Sequence, residues 1–205
     1  HCTVMLLPLI LKILVLVIVP VLLIYFKIIP YKRRFTTLYV VVGLLLGVIL
    51  YEGWTLKDLG IRLDNIATAL PMYLIYLVLG VVFLLLLAYY YGAKPIKGWW
   101  KHSHFQYRFL LGSFLQEFVF RSFFIVELQT VFSSLWVIVL LNSLIFMFVH
   151  IIYSARLALL IGMFFSGVLF SWLYVMHPNL ILISLLHAIF NFIVVLYGAF
   201  TQEHH

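Results

Sequence analysis

Long apolar blocks separated by short polar links set the pattern of this chain. A membrane-crossing helix needs about 20 apolar residues to span some 30 Å of hydrocarbon. Seven blocks approach that length, over residues 4–28, 37–51, 71–91, 107–126, 133–153, 156–176 and 179–200. The first contains Pro8 and Pro20, and the second holds Gly43 and Gly47, a four-residue spacing that lets helix backbones approach closely. The pattern predicts an all-α polytopic membrane protein of about seven transmembrane helices around a polar cavity. Nearly every residue is used in a span, so one membrane domain is expected over 1–205, with its chemistry concentrated in 107–200.

Composition agrees. Of 205 residues, 66% are hydrophobic and 9% charged, where a soluble domain is about half apolar and a quarter charged. The formal net charge of +7 speaks in such a chain to loop orientation and lipid headgroups. No basic run is interleaved with exposed aromatic residues, so nucleic acid is not an expected partner. The lone cysteine, Cys2, forms no internal disulfide and no CxxC site. The opening HCTVMLLPLI lacks the basic n-region and small-residue cleavage site of a signal peptide.

The links alternate in charge. Lys27, Lys32, Arg33 and Arg34 follow the first block, Lys94, Lys97, Lys101 and Arg108 the third, and Arg156 the fifth. Positive loops stay on the cytoplasmic side, so the N-terminus is expected outside and the C-terminus inside. Trp99, Trp100 and Tyr107 would then lie at the interface. The second link, EGWTLKDLGIRLDNI, has mixed charge and reads as an interfacial segment.

An ionisable side chain inside the bilayer costs roughly 2.5–3.5 kcal/mol on insertion scales and usually pairs or faces a cavity. The residues singled out are Glu117, Arg121, His150 and His187, accompanied by polar Gln116 and Asn191. Glu117 and Arg121 are four apart and share a helix face, as do Phe146 and His150, and His187 and Asn191. Taken singly, each has a structural explanation: an ion pair, or a hydrogen bond between helices. Together they favour a hydrolytic site. A carboxylate and an imidazole can take a proton from water. A second imidazole and an amide can donate to an oxyanion, and Arg121 would hold the carboxylate ionised. Glu117, His150 and His187 also form a less favoured zinc set, without an HExxH motif. No cofactor is the leading expectation. His102, His104 and His177 fall in links, His204 and His205 in the tail, and none is given a role.

The segments QEFVFR, FMFVH and HAIFN resemble the three motifs of the CAAX protease and bacteriocin-processing (Abi) family, EExxxR, FxxxH and HxxxN. Glu117 and Arg121 fit the second Glu and the Arg, Phe146 and His150 the second motif, and His187 and Asn191 the third. TLKDLGIRL resembles a segment upstream, and the likeness extends over about 54–200. It implies an intramembrane glutamic endopeptidase, in a bacterial plasma membrane, acting on a hydrophobic or lipidated peptide. Glu117 and His150 would serve the water, His187 and Asn191 the oxyanion, and Arg121 would orient. The departure is Gln116, at the place of the first Glu, to which the family's water activation is credited. A Gln amide can position water but cannot take its proton. Three readings follow: Glu117 substitutes as base, the chain is catalytically silent, or Gln116 is an engineered knock-out. A silent member would partner an envelope protein or confer bacteriocin immunity. A transporter would need inverted repeats, and none is visible.

Overall fold

The structure, a computed structural model, describes residues 2–101, 108–153 and 155–198. Tyr107, His102, His104, Phe200, His204 and His205 lie outside the described residues. All regular structure among the described residues is helical. The elements are α1 (Cys2–Ile13), a π turn (Leu14–Ile18), α2 (Val19–Tyr25), α3 (Arg34–Glu52), α4 (Ile66–Tyr90), α5 (Arg108–Glu117), a second π segment (Phe118–Phe124), α6 (Ile125–Val131), α7 (Leu135–Val149), α8 (Leu157–Met176) and α9 (Leu180–Leu196).

Six helical stretches among the described residues are long and apolar enough to cross a membrane: Leu6–Tyr25, Tyr31–Glu52, Ile66–Tyr90, Phe109–Val131, Leu135–Ile152 and Leu159–Met176. The seventh expected span is the shorter apolar helix α9, with 17 residues. The protein is therefore an all-α polytopic membrane protein. Three spans outrun their apolar blocks, the third by starting at Ile66. The second begins at Tyr31, and within it Thr37 returns its hydroxyl to Arg33 O at 3.2 Å, which satisfies that polar group within the helix. The fourth runs past Glu127 because that carboxylate hydrogen-bonds Lys12.

The chain packs as two compact units. Unit 1 comprises His1–Gly60 and Phe118–Pro178, and unit 2 comprises Ile61–Glu117 and Asn179–His205. In unit 1, α7 and α8 pack closely, and a Cβ on Gly167 would stand 3.1 Å from the Ser143 backbone. Polar side chains tie this core. A π turn displaces carbonyls from the regular i→i−4 ladder, and Asn142 donates to Phe120 O at 2.7 Å. Ser171 in turn donates to Asn142 Oδ1 at 2.9 Å. Leu59 O accepts from Ser122 (2.5 Å) and Tyr174 (3.1 Å), which anchors the link after α3 against the helices. Lys12 joins Glu52 at 2.5 Å and also pairs with Glu127, so one cation fastens three helices.

In unit 2, α9 packs on α4 and α5. A Cβ on Gly80 of α4 would meet the Phe190 ring at 2.1 Å, so glycine there is what lets the two helices approach. Asn179 starts α9. Its Oδ1 accepts from Leu182 N at 3.0 Å, a side-chain N-cap. Its Nδ2 donates to Arg62 O and Asn65 Oδ1 at 3.0 and 2.8 Å. The far end of α9 is held by Ile96 N donating to Leu196 O at 2.8 Å and by Trp99 edge-on to Phe192.

The link 53–65 is a series of turns, with Thr55 N and Oγ1 both donating to Asp58. These bonds hold the Asp58 carboxyl below its ordinary range.

Candidate active site

The site in unit 2 is built on two helices. α5 ends at Glu117 and presents Ser113 and Glu117 four residues apart, while α9 presents His187 and Asn191 at the same spacing. Residues four apart lie one above the other on a helix, about 6 Å along the axis. Two rungs result. His187 Nδ1 lies 2.5 Å from Glu117 Oε1, and Asn191 Nδ2 donates to Ser113 Oγ at 3.0 Å. The lower-numbered residue of one helix meets the higher-numbered one of the other, so α5 and α9 run antiparallel here. Phe109 and Trp99 both pack against Phe192, extending the contact by apolar surface on the side of the second rung.

The first rung is deeply buried. Glu117 is 0% exposed and His187 5%. An acid alone there would be heavily disfavoured, and the imidazole supplies the donor it needs. The bond assigns a proton to Nδ1 and so determines which face of the ring carries Nε2. Ser113, also buried at 1%, gives Asn191 an acceptor for one of its two amide hydrogens. Gln116 precedes Glu117 in the last turn of α5.

Arg121 and His150 belong to unit 1. Arg121 is fully buried in the π segment, with its guanidinium over the rings of Phe146 at 4.4 Å and Phe170 at 5.5 Å. Such contacts offset part of the desolvation of a buried cation. The sequence gave no sign of these rings. His150 starts the 3₁₀ turn that closes α7. Its Nδ1 donates to Phe146 O at 2.7 Å, and its ring packs on Phe146 and Tyr153. Phe146, the apolar member of the second motif, thus serves both Arg121 and His150. A neutral His150 ring tied in this way carries its lone pair on Nε2.

Among the described residues, no three His, Cys, Asp or Glu side chains form a group able to hold a metal ion.

Sequence reasoning missed Ser113. The signal was present, since GSFLQE places a serine one turn before Glu117, but a serine in an apolar helix has many uses. It also missed Lys12 and Glu127. Both stood in or beside apolar blocks, and only their pairing over 115 positions explains why a span tolerates them.

An apolar helical protein with an acid–imidazole pair buried between two of its apolar helices defines a class, that of polytopic membrane proteins with an interior polar site. The family can be stated more closely. Residues 98–193 match the family described as Rce1-like, type II CAAX prenyl endopeptidase Rce1-like, and this segment is similar to that family. The matched residues include Gln116, Glu117, Arg121, His150, His187 and Asn191. No curated protein and no solved structure matches the chain.

Proposed function

We propose that this chain is built as an intramembrane endopeptidase, hydrolysing a hydrophobic or lipidated peptide with side-chain groups alone. The observation that carries the reading is the 2.5 Å contact between buried Glu117 and His187, within a segment that matches a peptidase family. In such a hydrolysis the oxygen of water bonds to the scissile carbonyl carbon and loses a proton to a base. The carbonyl oxygen takes up the charge. The C–N bond then breaks, and the departing amine receives the proton.

His150 is assigned to the water, where Nδ1–H bound to Phe146 O leaves Nε2 to accept the proton. His187 and Asn191 are assigned to the oxyanion. Whenever His187 carries both ring protons, Glu117 offsets its charge and Nε2–H becomes a donor. Asn191 has a second amide hydrogen beyond the one given to Ser113. Glu117 was expected to share the water. Because its Oε1 is engaged by His187, we assign it to positioning that ring instead. Arg121 serves as an orienting cation. The water then lacks a carboxylate base, because the place before Glu117 holds an amide.

This predicts that Gln116→Glu raises cleavage by about 10²–10⁴-fold, the usual worth of a placed general base. The measurement is mass-spectrometric detection of products from farnesylated CAAX-ended and plain hydrophobic peptides. Protein in lipid vesicles would be compared as the chain stands, as Gln116→Glu, and as Gln116→Glu with His150→Ala. Cleavage by Gln116→Glu alone supports the assignment. Equal cleavage by the chain as it stands overturns the role given to Gln116. Silence of all three forms shifts the reading to a catalytically silent partner of a membrane or envelope protein.

The cytoplasmic side is proposed for the basic links around Lys32 and Lys97, in a bacterial plasma membrane.

A further inference from the structure

We infer that Ser113 is a positioning residue that acts through Asn191. The inference deepens the peptidase reading and rests on it.

The asparagine side chain ends in a carboxamide. Its terminal torsion is broad and roughly two-fold, so an untethered Asn presents its N–H₂ or its C=O to the same point with little to choose between them. For an oxyanion the two faces have opposite consequences. An N–H stabilises the developing charge, and a carbonyl oxygen repels it. A group that fixes the amide orientation therefore decides whether Asn191 helps or hinders. Ser113 Oγ accepts from Asn191 Nδ2 at 3.0 Å. One amide hydrogen is spent on the serine, the nitrogen end of the side chain is held toward α5, and the second hydrogen keeps a defined direction.

Ser113 can do this because its own place is set. It is 1% exposed and stands on α5 one turn from Glu117, whose Oε1 meets His187. The two rungs share both helices, so the bond that orients His187 also sets the register of Ser113 with Asn191. Both members of the oxyanion pair are then held by α5: the imidazole by a carboxylate and the amide by a hydroxyl. Serine suits the second task because a hydroxyl accepts without carrying charge, and a second carboxylate one turn from Glu117 would repel it.

The test is a double-mutant cycle in the Gln116→Glu background, with a farnesylated CAAX-ended peptide as probe. Ser113→Ala, Asn191→Ala and the double variant are compared by kcat, KM and thermal midpoint in lipid. Ser113→Ala is expected to lower kcat about tenfold with KM and midpoint nearly unchanged. It should have no further effect once Asn191 is Ala, because interacting residues are not additive. Ser113→Thr, which keeps an acceptor oxygen, should recover part of the loss. Additive losses in the cycle overturn the proposal, as does a Ser113→Ala variant that cuts like its parent. A Ser113→Ala loss that follows a fallen midpoint and is not recovered by threonine also overturns it. If the Gln116→Glu parent itself cuts nothing, the peptidase reading fails first, and the role given to Ser113 fails with it.

Discussion

At the scale of single residues, the site depends on polar groups that are given partners in an apolar interior. Glu117→Gln keeps the shape but removes the charge facing His187. In the Gln116→Glu background it should lower kcat by about 10²-fold, comparable to losing an electrostatic stabiliser of the transition state, and the peptide assay reads this directly. Ser184 offers a contrast. It lies one turn before His187, and its Oγ is buried with no hydrogen-bond partner among the described residues. A buried unsatisfied hydroxyl costs about 1–3 kcal/mol, so Ser184→Ala is expected to raise the thermal midpoint. A lowered midpoint would show that the hydroxyl is bonded, for example to water. Glu117, His187 and Asn191 could be read as candidates because charge and amide are scarce in these spans. Ser113 could not be separated from other helical serines until its rung was seen.

Helices are joined by contacts that no local pattern reveals. Lys12 of α1 holds Glu52 of α3 and Glu127 of α6. Lys12→Met leaves two carboxylates without their cation. Breaking a fully buried pair costs about 3–5 kcal/mol. Lys12 and Glu52 are only partly buried, so a loss of about 2 kcal/mol is expected, read as a lower unfolding midpoint in detergent. Glu127→Gln should show a similar loss, and an unchanged midpoint in both would remove the clamp from the account of unit 1. Gly80 makes the opposite kind of contact. Gly80→Leu forces a side chain against Phe190 and should destabilise the α4–α9 packing by about 1–3 kcal/mol, seen in the same measurement. The bounds of the helices were legible where apolar residues simply ended. They were not where a distant partner, such as Lys12 for Glu127, made a charge tolerable.

For the whole molecule, charge asymmetry between links carries the proposed orientation. Cysteines placed singly at Lys32 and Lys97 should be labelled by an impermeant thiol reagent only after the membrane is opened from the cytoplasmic side. A cysteine at Asp64 should be labelled from outside. The reverse pattern would invert the proposed topology. Many large side chains on the spans are exposed, among them Leu79 and Phe83 of α4 at 65% and 62%, which suits a protein whose outer surface meets lipid rather than water.

What the amino-acid sequence determined by itself was the class and the cast. Apolar blocks of membrane length are a local property, because the bilayer asks only for length, hydrophobicity and satisfied backbone groups. The few polar residues within them stood out for the same reason, and their order along the chain carried the family resemblance. Tertiary structure decided which of them meet. Helical spacing shows that Ser113 and Glu117 share a face, and that His187 and Asn191 share another. Only the antiparallel packing of α5 on α9 brings the two faces into register. Likewise the rings that receive Arg121 and the carbonyl that holds His150 come from helix packing and a turn geometry. Neither is encoded in the spacing of charges, because a buried charge constrains that it be satisfied and leaves open by what.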